Sequence, residues 1–278
     1  MMMKPKVSVF LSAYNEEGTI TKTIESILSQ TCRDFELVII DDGSADRTVQ
    51  VIQEYEKKDS RIRFFKNEKN LGINKSTRKG ISLCTGDYVA IIDAGDVCHP
   101  TRLEKQVQFL DKNLSVSIVG CYHRWIDSEG KVSGKYEFPT DPKAVRGQVF
   151  GFGAIAAHPC LMMRRDLFGI VRAYDTKYVC IDYDLYMKTL SAGLSISTVP
   201  EYLVDVLRRE EGISLSKNKQ AFIDMFKLRV RYLPRMFSVK NLLYTFMSSF
   251  LIIVPAPILR KVICSDSWGS LRKRLIKS

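Results

Sequence analysis

Tyr88-Val-Ala-Ile-Ile-Asp93-Ala-Gly-Asp96 is the stretch that decides the fold. An apolar, largely β-branched run stops abruptly at two carboxylates separated by small residues. Apolar on both faces, it reads as a strand buried within a parallel sheet. In open α/β sheets the ligand crevice lies beyond the carboxyl ends of the strands, which puts Asp93 and Asp96 at the mouth of a site. His99-Pro100 follows, and Leu103, Val107 and Leu110 then share one face of a helix from Arg102 to Leu110. Strand, acidic turn and helix in that order suit a divalent cation and a phosphate. The same spacing also describes a solvated Asp-Gly turn with no ligand, since short acidic turns are common. The residues of this stretch leave both open.

Toward the N-terminus the same rhythm recurs. Val7 to Leu11 is apolar and β-rich, and Ser12-Ala13-Tyr14-Asn15-Glu16-Glu17-Gly18 interrupts it with polar side chains. Thr19 to Gln30 is predicted helical, with Ile20, Ile24, Ile27 and Leu28 on one face. Phe35 to Ile40 makes a second buried strand, Glu36 excepted, and ends in Asp41-Asp42-Gly43-Ser44. A helix over Arg47 to Lys57, a short strand over Ile62 to Phe65 and the turn Asn70-Leu71-Gly72 follow. A basic helix through Lys75, Arg78 and Lys79 then leads to Tyr88. Strands alternating with helices in this way imply an α/β fold with a doubly wound, mainly parallel sheet. Right-handed crossovers gather the polar strand ends on one edge, so Ser12, Asp42 and Asp93 become neighbours.

Beyond Pro100 the regularity loosens. Val116 to Tyr122 is a strand, Asp127-Ser-Glu-Gly130 a hairpin-like turn, and Phe150-Gly-Phe-Gly153 a loop unsuited to a helix interior. His158-Pro159 leads into a strand over Cys160 to Met163. Ile181-Asp182-Tyr183-Asp184-Leu185 opens a helix running toward Ala192. Acids in a first helical turn favour the helix dipole, and on their own Asp182 and Asp184 read as N-terminal acids.

The 278 residues suffice for one α/β domain with a C-terminal extension, and 45% hydrophobic with 26% charged residues is a globular composition. The net charge of +11 is uneven: from Glu201 onward 15 Lys and Arg face 6 Asp and Glu, whereas the first 200 residues hold 27 against 25. A basic tail suits nucleic acid or an anionic membrane surface. Asn218 to Phe237 forms a basic amphipathic helix, and the uncharged run Leu242 to Leu259 follows it. That run is slightly short for a spanning helix and is broken by Pro255 and Pro257. With Leu271-Arg-Lys-Arg-Leu-Ile-Lys277 closing the chain, charge and apolar surface coincide as in a helix lying among lipid headgroups. The membrane is therefore the expected partner of the tail rather than nucleic acid, although these helices could instead pack on the domain. Seven scattered cysteines without a Cys-x-x-Cys pair, and no signal peptide, fit a cytoplasmic protein at the inner face of the plasma membrane.

Taken together, Lys6-Val-Ser-Val-Phe-Leu-Ser-Ala-Tyr-Asn15, Asp41-Asp-Gly-Ser44, Asn70-Leu-Gly72, Asp93-Ala-Gly-Asp96 and Asp182-Tyr-Asp-Leu185 have a familiar order and spacing. The chain resembles the family 2 inverting glycosyltransferases, and His158-Pro-Cys-Leu-Met-Met-Arg-Arg165 and Leu207-Arg208 extend the likeness. The resemblance implies a single nucleotide-sugar-binding fold of the GT-A type over residues 1–210, with the helical extension in 211–278. It also implies a nucleoside-diphosphate sugar donor, a manganese or magnesium ion, and a glycan or lipid-linked acceptor in surface polysaccharide or glycolipid assembly. Ser12 and Asp42 match the positions that contact the nucleoside, and Tyr14, Glu16 and Arg78 join them on the donor side. Asp93 matches the acid near ribose and metal, Asp96 is the second metal ligand, and Asp182 matches the catalytic base. His158 falls on the acceptor and diphosphate side, where the Arg208–Arg209 pair is a candidate to add positive charge, Arg208 being the better match to the family.

Two positions depart from the family pattern. The metal turn commonly carries an acid where this chain has Gly95, and the base motif commonly begins with Glu where this chain has Ile181. Gly95 keeps a catalytically weak or inactive sugar-nucleotide or membrane-binding module in play. A sugar-phosphate nucleotidyltransferase would want a glycine-rich basic loop after the first strand, and Ser12 to Glu17 offers acid instead.

Overall fold

A computed structural model of the chain describes residues 4–152, 156–174, 177–209 and 218–253. Its N-terminal half is the parallel sheet that the alternation predicts. β1 (Val7–Ala13), β2 (Phe35–Asp41), β3 (Ile62–Lys66) and β4 (Tyr88–Asp93) lie in the order β3-β2-β1-β4, all parallel. Their crossovers are α1 (Ile20–Leu28), α2 (Thr48–Lys58) and α3 (Ile73–Leu83). α1 buries Ile20, Ile24 and Ile27, the stripe its 3.6-residue spacing dictates. The strand ends are level: Ser12 of β1 stands opposite Asp93 of β4 on one side and Ile40 of β2 on the other.

From β4 onward the sheet is mixed. β5 (Val97–Cys98), β6 (Val116–Ile126), β7 (Val132–Tyr136), β8 (Met162–Arg164) and β9 (Ser195–Leu207) complete nine strands among the described residues, continuing β4-β8-β6-β9-β5. β8 is antiparallel to both neighbours, β9 runs parallel to β6, and β7 forms the foreseen hairpin with β6. Around them lie α4 (Arg102–Lys112), α5 (Pro142–Phe152), α6 (Leu167–Ile170) and α7 (Ile181–Ser191).

One element differs from expectation and another shows no sequence pattern, each for a physical reason. Phe150 to Phe152 ends α5 instead of forming a loop, because Val145 and Val149, one helical turn apart, are both wholly buried and hold the helix to the core. β9 has no clean apolar alternation, because Pro200 and Glu201 bulge out where the register jumps from Cys121–Val199 to Tyr122–Tyr202. A bulge of this kind shifts which side chains face inward and erases a period of two.

The extension is docked. α8 (Asn218–Tyr232) runs into a 3-10 turn at Leu233–Met236 and then α9 (Val239–Ile253). Leu228, Tyr232 and Met236 belong to the one apolar core that the sheet supplies. Asp224 accepts a hydrogen bond from the Val179 N–H at 2.8 Å, and Arg229 Nε donates to the Tyr183 hydroxyl at 3.0 Å. The outer side of α9 is different: Leu242, Leu243 and Phe246 are exposed, with Phe237 and Val239 beside them. Among the described residues no helix is long and apolar enough to cross a membrane. The boundary expected at 210/211, the rest of the apolar run from 254, the closing basic stretch 271–277 and Gly153 lie outside the described residues.

Candidate active site

At the carboxyl edge of β1 and β2 two loops are laced together. The Asn15 N–H donates to Ser44 Oγ at 2.9 Å, the Glu16 N–H to Thr48 Oγ1 at 2.7 Å, and the Ala45 N–H to Asn15 Oδ1 at 2.9 Å. Gly43 has φ +81°, and a Cβ there would meet the Lys69 carbonyl carbon at 2.8 Å, so the position needs glycine twice over. Asp42 is buried, and both its oxygens are committed: they accept from Asn67 Nδ2, the Leu71 N–H and the Gly72 N–H, each at 2.9 Å. Asp42 therefore shapes the 70–72 turn. Ser12 is buried at the strand end beside Asp93, whereas Tyr14 projects into solvent.

The turn after β4 holds the densest charge. Asp93 is half-buried at the strand end. Burial pushes its carboxyl above the usual range; His158 and Arg209 pull it back, and Glu16 and Asp182 add like charge. Four charged or titratable groups from distant parts of the chain thus lie close enough to act on Asp93. Gly95 turns the chain at φ +95° and donates its N–H to Thr23 Oγ1 at 2.9 Å. Asp96 then points inward: it accepts from the Leu207 N–H at 2.8 Å, and Oδ2 is buried without a hydrogen-bond partner among the described residues. Burial, then the charge of Asp93, raises its carboxyl well above the usual range.

Asp182 is half-buried in the first turn of α7. Two buried phenols lie against it: Tyr174 and Tyr186 are held well above the usual tyrosine range by burial, and next by the Asp182 charge. Tyr174 adopts φ +57°, a left-handed backbone that an aromatic residue takes only under constraint, as at functional sites. Its hydroxyl is 3.3 Å from His158 Nε2, so it helps to hold the histidine.

The structure brings Glu16, His158 and Asp182 near Asp93, with Ser12 opposite Asp93 on β1, while Asp42 is committed to the 70–72 turn. It does not bring Arg208, whose guanidinium lies over the Trp125 ring at 5.2 Å and whose N–H bonds the Ile126 carbonyl at 2.8 Å. The cation at the site is the next residue. Arg209 donates through Nη2 to Glu16 Oε2 at 2.8 Å and to the Ala94 carbonyl at 2.7 Å, with Nη1 on Glu16 Oε1. Neighbouring residues in extended chain face opposite ways, and the family likeness of Leu207-Arg208 selects the wrong one of the pair. Arg78 is exposed on α3 and shares a basic surface with Lys75 and Lys79 rather than the cavity of Asp93. Tyr174 lacks any motif that would have singled it out.

A divalent ion does not fit the residues at the acidic turn in the expected way. Asp96 faces inward, held by the Leu207 N–H, and Gly95 has no side chain to offer. A magnesium or manganese ion carried by phosphates takes one or two protein carboxylates, and of the two expected here Asp96 is turned inward onto the Leu207 N–H. Asp93 alone remains open.

With this geometry in place, comparison with known proteins is decisive for the family. Residues 8–170 match the family described as Glycosyl transferase family 2. An uncharacterized glycosyltransferase of Methanocaldococcus jannaschii is 31% identical over 237 residues, covering 83% of this chain and 81% of its own. The UDP-Glc:alpha-D-GlcNAc-diphosphoundecaprenol beta-1,3-glucosyltransferase WfaP of Escherichia coli is 30% identical over 213 residues, 77% of this chain and 80% of its own. The mannosyltransferase PcManGT from Pyrobaculum calidifontis, solved with GDP-Man and Mn2+, superposes with a TM-score of 0.65 at 16% identity, covering 99% of this chain and 86% of that one. The fold is that of the GT-A glycosyltransferases, and the chain belongs to glycosyltransferase family 2.

Proposed function

We propose that this chain transfers a sugar from a nucleoside-diphosphate sugar to an acceptor hydroxyl with inversion at the anomeric carbon. The observation that carries this is the gathering of Asp182, His158, Glu16 and Arg209 about Asp93 at the end of β4. The bond from the anomeric carbon to the β-phosphate oxygen breaks, and its electron pair stays on the diphosphate. The acceptor oxygen bonds to the same carbon from the opposite face, and its proton passes to Asp182. An α-linked donor then gives a β-linkage. Asp93, level with Ser12, suits the ribose; Asp42 holds the 70–72 turn that closes the nucleoside side. Tyr174 and His158 keep the acceptor side of the opening in shape.

The acceptor is proposed to be glycan or lipid-linked, in surface polysaccharide assembly, as the name of the Escherichia coli relative states for that protein. The exposed apolar side of α9 supports work at an inner membrane surface. Beside it a cleft of about 430 Å³ is lined by Lys143, Arg146, Arg235 and Lys240, a fringe suited to anionic headgroups.

Sugar release from a panel of UDP-, GDP- and dTDP-sugars tests the reading. The preferred donor is consumed by wild type, and Asp182→Asn lowers the rate about a hundred- to ten-thousandfold with donor affinity little changed. Equal rates for the two proteins contradict the assigned base, and consumption of no donor contradicts the transferase.

A further inference from the structure

The space in which a metal-binding side chain would extend from the acidic turn is occupied by a cation belonging to the chain itself. A Cβ placed on Gly95 would lie 2.9 Å from Arg209 Nη2 and 2.8 Å from Leu207 Cδ2. No side chain fits at that position while Arg209 stands where it does. The guanidinium is fixed rather than free: Glu16 grips it as a fork, and the Ala94 carbonyl, within the turn, accepts from Nη2 at 2.7 Å. Glu16 is itself anchored, since its N–H is bound by Thr48 Oγ1 and the Thr19 hydroxyl donates to its carboxylate.

We propose that the Arg209 guanidinium is the built-in counter-charge for the donor's diphosphate, and that this chain binds and activates its donor without a divalent ion. The inference rests on the donor reading above. Guanidinium carries five N–H groups in a planar fork that matches phosphate oxygens. Three are used by Glu16 and Ala94, which leaves Nε–H and one Nη1–H uncommitted among the described residues. A cation held before the reaction at the place where charge develops costs no reorganisation during it. The electron pair released from the anomeric carbon collects on the β-phosphate oxygen beside those donors. The guanidinium keeps its protons throughout, and the acceptor's proton still goes to Asp182. The guanidinium fills the space beside Gly95, and with Asp96 turned inward Asp93 is the acid of this turn left to hold a cation.

Calorimetric titration of the full chain with UDP, GDP and dTDP, each in EDTA and in millimolar manganese, tests this, with the matching free nucleosides as controls. The expected result is that the preferred diphosphate binds within about threefold equally in the two buffers. Arg209→Met should weaken it roughly ten- to a hundredfold, as loss of charge-assisted bonds predicts, while the nucleoside binds as before. A diphosphate affinity that falls tenfold or more in EDTA overturns the inference and leaves the donor reading standing. That arm uses wild type alone and is independent of the variant's folding. An Arg209→Met variant that binds diphosphate like wild type also overturns it. Failure of every diphosphate to bind in either buffer removes the donor reading and this inference together.

Discussion

Glu36 shows what a single polar side chain does inside β2. It is buried between β1 and β3, where it accepts from Ser8 Oγ at 2.5 Å, from the Thr85 N–H and Oγ1 at 2.7 Å each, and from Arg63 Nη1 at 2.5 Å. Burial alone would raise its carboxyl; the bonds from Ser8, Thr85 and Arg63 outweigh that and leave it below the usual range. A depressed acid contributes stability above its unfolded value of roughly 4.3, and that contribution is lost as pH falls through the folded value. Glu36→Gln should therefore cost about 1–3 kcal/mol at neutral pH. Urea midpoints of the two proteins should converge as pH falls from about 4.3 through the lower folded value of Glu36; a constant gap would contradict the ionised network. In sequence Glu36 was only the exception in an apolar strand, because its partners come from three other segments. The choice within the Arg208–Arg209 pair was hidden for a related reason: two adjacent arginines give no sign of which one the end of β9 turns toward Asp93.

Elements hold the site through one buried side chain. Arg102, at the start of α4, is wholly buried, and its Nη2 donates to the Ile91 carbonyl at 2.8 Å and the Leu161 carbonyl at 3.3 Å. Nε reaches Gln106 Oε1 at 3.1 Å and Nη1 lies 3.2 Å from Cys98 Sγ. This one fork ties α4 to the end of β4, two residues before Asp93, and to the chain after His158. Arg102→Leu leaves buried carbonyls short of a donor and should cost roughly 2–4 kcal/mol by thermal or urea unfolding. Arg102→Lys should restore less than half of it, since an ammonium lacks the planar fork. Full restoration by lysine would show that charge alone matters. The period-2 and 3.6-residue patterns made β1 to β4 and α1 to α3 legible, because each buries a continuous face. β9 and the end of α5 were illegible where Pro200 bulges the strand and where glycine sits within a helix held by Val145 and Val149.

At the scale of the whole molecule, a parallel half built for a nucleotide joins a mixed half that brings His158, Asp182 and Arg209 to it from the far side of the sheet. The parallel half could be read from alternation alone; the mixed half depended on resemblance, since antiparallel pairing between β4, β8 and β6 leaves no local signature. The docked extension presents its apolar side outward beside a cationic cleft. The full chain should sediment with vesicles containing phosphatidylglycerol and much less with pure phosphatidylcholine. Leu243→Glu with Phe246→Glu should lower that binding at least about tenfold and leave nucleotide affinity unchanged. Indifference to both lipid charge and these substitutions would assign the exposed face to something other than a membrane. The central claim is the shared cavity, and a crystal structure of the full chain with its tightest-binding UDP- or GDP-sugar tests it most directly. The account predicts ribose beside Asp93, diphosphate oxygens on Arg209, and the anomeric carbon between the β-phosphate and the Asp182 carboxylate. A nucleotide bound elsewhere, or Asp182 on the side of the departing diphosphate, would contradict it.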